Sequence, residues 1–158
     1  MQDEEYGQVK NYALKLLSLR PRSISEIRIR LKSYLNKKKF PAVYLDRLID
    51  ELQSLNFLND LDFAKWWLDQ RGRANIKGKS FIRQELLQKG IDREVIAEVL
   101  SELEPGEEFD KALQLAKKKF GSAQIRRDTE FKIGRYLTGR GFSYDIIRKV
   151  IESLRQKS

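Results

Sequence analysis

Leu86-Leu87-Gln88-Lys89-Gly90-Ile91-Asp92 closes one apolar-periodic stretch and opens another, and its counterpart stands 51 residues later as Leu137-Thr138-Gly139-Arg140-Gly141-Phe142-Ser143. The alignment carries on downstream, where Ile96, Val99, Leu100 and Leu103 fall on Ile147, Val150, Ile151 and Leu154. It also runs upstream: Phe40, Leu45, Leu48, Ile49 and Leu52 stand 51 positions before Ile91, Ile96, Val99, Leu100 and Leu103. Ala13, Ala64 and Ala112 each open an apolar stripe earlier in their segments. A fixed period shared by so many apolar positions marks an internal repeat, each copy being one supersecondary unit. Within the copies the apolar residues recur at helical spacing, and no stretch alternates with period two long enough for a strand.

Helix punctuation fills in each copy. Ser23-Ile24-Ser25-Glu26 has the spacing of a capping box, in which the serine hydroxyl and the glutamate satisfy orphan backbone donors. Pro41 suits a first helical turn, where its missing N–H costs nothing. Asn59, followed by Asp60 and Asp62, reads as an N-cap with acids that suit the helix dipole. Gly90, Gly121 and Gly141 end helices, Gly90 with the left-handed cap that glycine adopts without strain, and Ser143 caps the last helix. The expected fold is therefore all-α: three tandem three-helix repeats over 6–58, 59–104 and 107–156. Units this small bury little alone, so an elongated, bent array is expected.

The 158 residues hold 32 Lys and Arg against 23 Asp and Glu, a net charge of +9. Such a surplus favours a polyanionic partner, whose counterions are released on contact. There is no Cys and no His, which excludes disulfides, thiolate nucleophiles and imidazole-held metals. Neither a metal nor a cofactor is expected. Ser23, Ser25 and Ser80 have no histidine to activate them, and the carboxylates of Glu107-Glu108, Asp60/Asp62 and Glu102/Glu104 occupy helix caps or solvated faces rather than apolar surroundings that would tune them for proton transfer. Gly78-Lys79-Ser80 reads GKS, but the phosphate-loop spacing requires a glycine at Arg73, and no strand precedes it. These features argue against an enzyme. No apolar run approaches the roughly 20 residues of a membrane span, and Met1 to Val9 is acidic and polar rather than signal-like. A soluble, cytoplasmic monomer is expected.

The charges are sorted along the chain. Nine bases and one acid lie between Lys15 and Lys39, six and one between Arg71 and Lys89, and eight and two between Lys111 and Arg135. The intervening stretches are acidic: five acids and one base from Phe40 to Asp62, eight and one from Ile91 to Asp110. Two readings stand. In one, acidic and basic segments pair internally. In the other, basic second helices form a track for phosphates, built from Arg28, Arg30 and Lys32, from Arg71, Arg73, Lys77, Lys79, Arg83 and Lys89, and from Arg126, Arg127, Lys132 and Arg135. The second is favoured, because exposed ion pairs contribute only ~0–1 kcal/mol and cannot explain the excess. Arg71 to Lys79, with four bases and two glycines, reads as a flexible, exposed basic loop leading into a helix. Trp66 and Trp67 point about 100° apart on their helix and read as core or interface packing ahead of base stacking. Tyr34, Tyr44, Tyr136, Phe142 and Tyr144, at helix ends, are expected to seal the units.

Several blocks resemble those of a known family. Ala13-Leu14-Lys15-Leu16-Leu17 with Arg20, then Ser23, Glu26-Ile27-Arg28 and Leu31, resembles the opening of RecX proteins. Leu55-Asn56-Phe57-Leu58-Asn59-Asp60 with Phe63-Ala64 is similar to their connection into a second unit, and Ile82-Arg83-Gln84-Glu85-Leu86 with Lys89-Gly90-Ile91 to their most recognisable block. The resemblance spans Tyr6 to Leu154. One departure is local: where the family often has Gly-Pro-x-Arg-Ile, this chain has Gly78-Lys79-Ser80-Phe81-Ile82, so any contact of that arginine is in doubt, though the segment stays basic. The resemblance implies a bacterial regulator that binds the RecA recombinase filament on single- or double-stranded DNA and modulates it, typically by inhibition, in recombination, repair and the SOS response. The alternative from charge alone is a free-standing helical DNA-binding module.

Overall fold

A computed structural model describes residues 2–73, 76–104, 106–121 and 125–156. Among these residues there are nine helices and no strand, in line with the helical spacing of the apolar positions. They are α1 (Gln2–Leu19), α2 (Ile24–Lys38), α3 (Val43–Ser54), α4 (Asp60–Arg73), α5 (Lys79–Gln88), α6 (Arg93–Ser101), α7 (Glu107–Phe120), α8 (Arg127–Gly139) and α9 (Tyr144–Gln156). The chain divides into two compact units, Met1–Trp66 with Leu86–Val95 and Trp67–Glu85 with Ile96–Ser158, so α4, α5 and α6 each contribute to both.

The 51-residue period is the period of the core. Ala13, Ala64 and Leu115 are buried at this spacing, as are Leu48, Val99 and Val150, and Ala112, three residues ahead of that frame, is fully buried too. The frame also extends to positions not aligned from the sequence, Leu31, Ile82 and Ile133, all buried, and Leu35 joins the aligned pair Leu86 and Leu137, likewise buried. In the first unit α1, α2 and α3 close around Val9, Ile27, Leu31 and Leu52, and in the second α7, α8 and α9 close around Ala116, Ile133, Leu137 and Val150. Removing such a leucine or isoleucine side chain from a well-packed core costs about 2–5 kcal/mol.

The turn after each second helix repeats as faithfully. Phe40, Ile91 and Phe142 donate their N–H groups to the carbonyls of Leu35, Leu86 and Leu137 at 3.0, 3.1 and 3.1 Å. This six-to-one bond, with a left-handed residue inside the loop, is a Schellman cap that satisfies the last carbonyls of the helix. The left-handed residues are Lys39 (φ 59°), Gly90 (φ 80°) and Gly141 (φ 91°), again 51 apart. Lysine at the first of them carries a steric strain that glycine avoids.

The expected caps form at α2 and α4. The Ser23 hydroxyl accepts from the Glu26 N–H at 3.1 Å while the Glu26 carboxylate accepts from the Ser23 N–H at 3.0 Å. Asn59 accepts from the Asp62 N–H at 3.1 Å. Pro41 lies just ahead of α3 rather than in its first turn: the N-cap is Ala42, and the Pro41 carbonyl accepts from the Tyr44 N–H at 3.2 Å.

The left-handed turns also dock on the starts of helices in the preceding copy. In the first unit the buried Ser23 hydroxyl donates to the Lys89 carbonyl at 2.7 Å. A Cβ on Gly90 would sit 2.3 Å from the Ser25 hydroxyl. In the second unit the Gly78 N–H donates to the Arg140 carbonyl at 2.7 Å, and a Cβ on Gly141 would lie 2.4 Å from that of Phe81. Lys89 and Arg140 are themselves 51 apart. The same carbonyl therefore receives a hydrogen bond at both places.

Candidate functional site

The bases of the expected track divide into two groups by what they touch. Along α2, Arg28, Arg30 and Lys32 are exposed, Arg28 in a solvent-facing pair with Asp46 at 2.9 Å. Arg83 on α5 is exposed. So are Arg126, at the N-cap of α8, and Arg127, Lys132 and Arg135 along it. The acid most able to quench this end of α8, Glu130, is occupied by Arg155, which reaches it with Nε at 2.6 Å and a second nitrogen at 2.7 Å. That fork holds the Glu130 carboxyl below its ordinary pKa.

The described residues between Arg71 and Lys79 differ from the flexible, exposed loop that the composition of this stretch suggests. Arg71 lies within α4, forks onto the Glu85 carboxylate with Nε at 2.9 Å and its terminal nitrogen closer still, and covers the Trp67 ring with its guanidinium 5.1 Å from the centroid. Lys77 is half-buried over the Phe81 ring at 4.3 Å. Burial, then the positive charges of Arg140 and Arg71, pull its ammonium below the usual lysine value. Gly78 is buried against the Gly141 turn, and the Lys79 N–H donates to Glu108 at 2.7 Å. Residues 74 and 75 and the Arg73 side chain lie outside the described residues.

Lys89 is likewise turned inward, to Glu26 at 3.2 Å. Glu26 is the hub of that corner: it closes the α2 capping box and also holds Arg20 at 2.6 Å. Burial alone would raise its carboxyl, but hydrogen bonds from Arg20, the Ser23 N–H and Lys89 outweigh that and hold it low. Asp60, a helix-start acid in the sequence, accepts from the Ile24 N–H at 2.9 Å; burial raises its carboxyl, with help from the charges of Asp92 and Glu26. Arg71, Lys77 and Lys89 thus do structural work, whereas the bases of α2, Arg83 and those of α8 face solvent.

The tryptophans follow the packing expectation. Trp66 and Trp67 are both half-buried, Trp66 tilted against Phe63 at 6.0 Å and Trp67 donating its indole N–H to Glu85 at 3.3 Å. Tyr44 and Phe142 are buried, but Tyr144 is 77% exposed and seals nothing. The exposed aromatic on the α8 basic surface is Phe131, 67% exposed, which the sequence reading passed over. Its signal was available: it falls outside the Ile133 and Leu137 core register, and arginines stand four residues to either side.

Among the described residues no group of three or more acidic side chains is placed to hold a metal ion, and no helix is long and apolar enough to cross a membrane. What the exposed surfaces offer is cationic hydrogen-bond donors, the groups that bind phosphate.

Helical units recurring at one spacing, closed by one cap and docked through one turn, define a tandem three-helix repeat protein, a class that works by presenting helix faces to partners. Residues 59–100 match the family model described as RecX, second three-helix domain, and residues 106–151 match RecX, third three-helix domain. The chain is 35% identical over 156 residues to regulatory protein RecX of Clostridioides difficile strain 630, covering 98% of this chain and 71% of that protein. It is 31% identical to regulatory protein RecX of Mycolicibacterium smegmatis, covering 95% and 83%. The crystal structure of RecX from Lactobacillus salivarius superposes with a TM-score of 0.85 at 28% identity, covering 98% of this chain and 99% of that one. The chain belongs to the RecX family of regulatory proteins.

Proposed function

We propose that this chain binds the filament of the RecA recombinase on DNA in the cytoplasm and modulates it by inhibition. Family membership supports the regulatory part of this reading. The observation that carries the rest is that each unit exposes bases of its own, Arg28, Arg30 and Lys32 on α2 in the first and Arg126, Arg127, Lys132 and Arg135 at α8 in the second. A nucleoprotein filament presents phosphates beside protein, and guanidinium groups with no buried duty are suited to that mixed surface. Arg83 and Lys79 are secondary contributors, while Arg71, Lys77 and Lys89 act by holding the fold. The protein acts as a monomer and needs no cofactor.

The test is RecA-dependent ATP hydrolysis on single-stranded DNA, with purified protein added at micromolar concentration. Inhibition is expected, and it should weaken when Arg126, Arg127, Lys132 and Arg135 are replaced by Gln. An unchanged rate at micromolar protein overturns the reading. Tight, steeply salt-dependent binding to naked DNA together with an unchanged rate selects the free-standing DNA-binding module instead.

A further inference from the structure

We infer that Phe131 is a stacking platform for an unpaired base of single-stranded DNA, with Arg127 and Arg135 as the phosphate contacts on either side. This deepens the function proposed above and rests on its DNA component. Three observations meet at one helix face. Phe131 is 67% exposed, a degree of exposure that its neighbours Ile133 and Leu137, both fully buried, do not share. Arg127 and Arg135 lie one turn before and one turn after it, within about 40° of it around the helix and about 6 Å along it. The Arg135 guanidinium stands 6.0 Å from the ring centroid. The third observation is Gly134, one turn beyond Phe131 on the same face. A Cβ there would meet nothing within 4 Å, so packing does not demand the glycine, although glycine inside a helix is unfavourable. A helix surface left flat beside an exposed ring gives a planar base room to lie against it.

Charge identifies the occupant. Arg126, Arg127, Lys132 and Arg135 are exposed on this helix, Glu130 is engaged by Arg155, and the remaining acid, Asp128, is exposed and accepts the Thr129 N–H. A cationic surface around an exposed aromatic fits a flexible polyanion with accessible bases. A duplex keeps its base faces stacked inside and offers only phosphates to this surface.

The experiment is fluorescence anisotropy with the full chain and two labelled strands of equal length: oligothymidylate, and a strand of the same backbone whose sites are abasic. Wild type should bind oligothymidylate tighter by roughly 5- to 100-fold, the range of one stacked base. Phe131→Ala should lose that preference and keep its affinity for the abasic strand; Phe131→Trp should retain it. Gly134→Val should reduce it, and Arg127→Gln with Arg135→Gln should lower affinity for both strands and flatten the salt dependence. Because Phe131 is exposed, unchanged helicity and Tm in Phe131→Ala are expected. Equal affinity of wild type for the two strands, or a preference undiminished in Phe131→Ala, overturns the inference. The ATP hydrolysis assay separates the two readings. If Phe131→Ala loses inhibition but keeps its base preference, Phe131 is a protein contact: the stacking inference falls and the regulatory reading stands. A base preference that depends on Phe131, with no effect of wild type on the recombinase, leaves stacking standing and the regulatory reading fallen.

Discussion

The docking of the Gly90 turn on the start of α2 and the docking of the Gly141 turn on the start of α5 are one design built from different atoms. In both, the carbonyl one residue before the left-handed glycine receives a hydrogen bond of 2.7 Å. At the first the donor is the hydroxyl of Ser23, a side chain that also caps α2; at the second it is the backbone N–H of Gly78. A hydroxyl on a Cβ can span a distance that a backbone amide must close by bringing the chain itself into contact. Hence the second docking needs a glycine on each side, where a Cβ on Gly78 would lie 2.4 Å from the Gly141 carbonyl oxygen, and the first needs one. The ionic reinforcement differs as well: Glu26 gathers Arg20 and Lys89 at the first, whereas Glu108 accepts from the Lys79 N–H at the second.

The largest effect should come from breaking the second docking. Gly78→Ala forces a methyl group against backbone atoms and should cost about 3 kcal/mol or more, read as a drop in the urea midpoint. Gly90→Ala adds the strain of a left-handed φ of 80° to a clash with the Ser25 side chain, and Ser25→Gly in the same chain should recover the clash part of the loss alone. The nearest atoms to a Gly78 methyl group are backbone atoms of Gly141 and Phe142, so an equal recovery of Gly78→Ala by trimming the Phe142 side chain would erase the distinction between the two contacts. Next is Ser23→Ala, which removes the α2 cap and the donor to the Lys89 carbonyl together and should cost about 2–3 kcal/mol. Glu26→Gln should cost about 1–2 kcal/mol at neutral pH. Its carboxyl is lowered in the folded state, so its contribution is complete above the ordinary glutamate pKa of about 4.3 and disappears as acidification passes the lowered folded value. Glu26→Gln should therefore flatten the acid limb of the stability curve. The smallest change is a gain: Lys39→Gly relieves the left-handed lysine and should add about 0.5–1 kcal/mol, bringing the first turn into line with Gly90 and Gly141.

The helices and their core faces were legible because burial is written in apolar spacing. Leu48, Val99 and Val150 occupy equivalent buried positions, and the capping box at Ser23 and the left-handed turns at Gly90 and Gly141 carry local signatures. The fate of individual bases was not legible in the same way. Arg71 and Lys77 look as free in the sequence as Arg127, and what distinguishes them is an acid or a ring that tertiary packing brings alongside. A partial clue existed: Glu85, the sole acid between Arg71 and Lys89, is the one Arg71 takes. Gly78 illustrates the same limit. Read locally, glycine among lysines signals flexibility, yet here it marks the approach of two backbones, a property of residues 63 positions apart.

The many bonds of Glu26 have a consequence for how the first unit opens. One carboxylate binds its own helix start and, through Lys89, the turn after α5, while the Ser23 hydroxyl binds the same turn's carbonyl. Fraying of α2 at its first residues and release of the Gly90 turn are therefore a single cooperative event, not two. In native-state hydrogen exchange the amides of Glu26 and Ile91 should report one opening free energy and shift together under mild denaturant, so that this corner behaves as a latch with two settings.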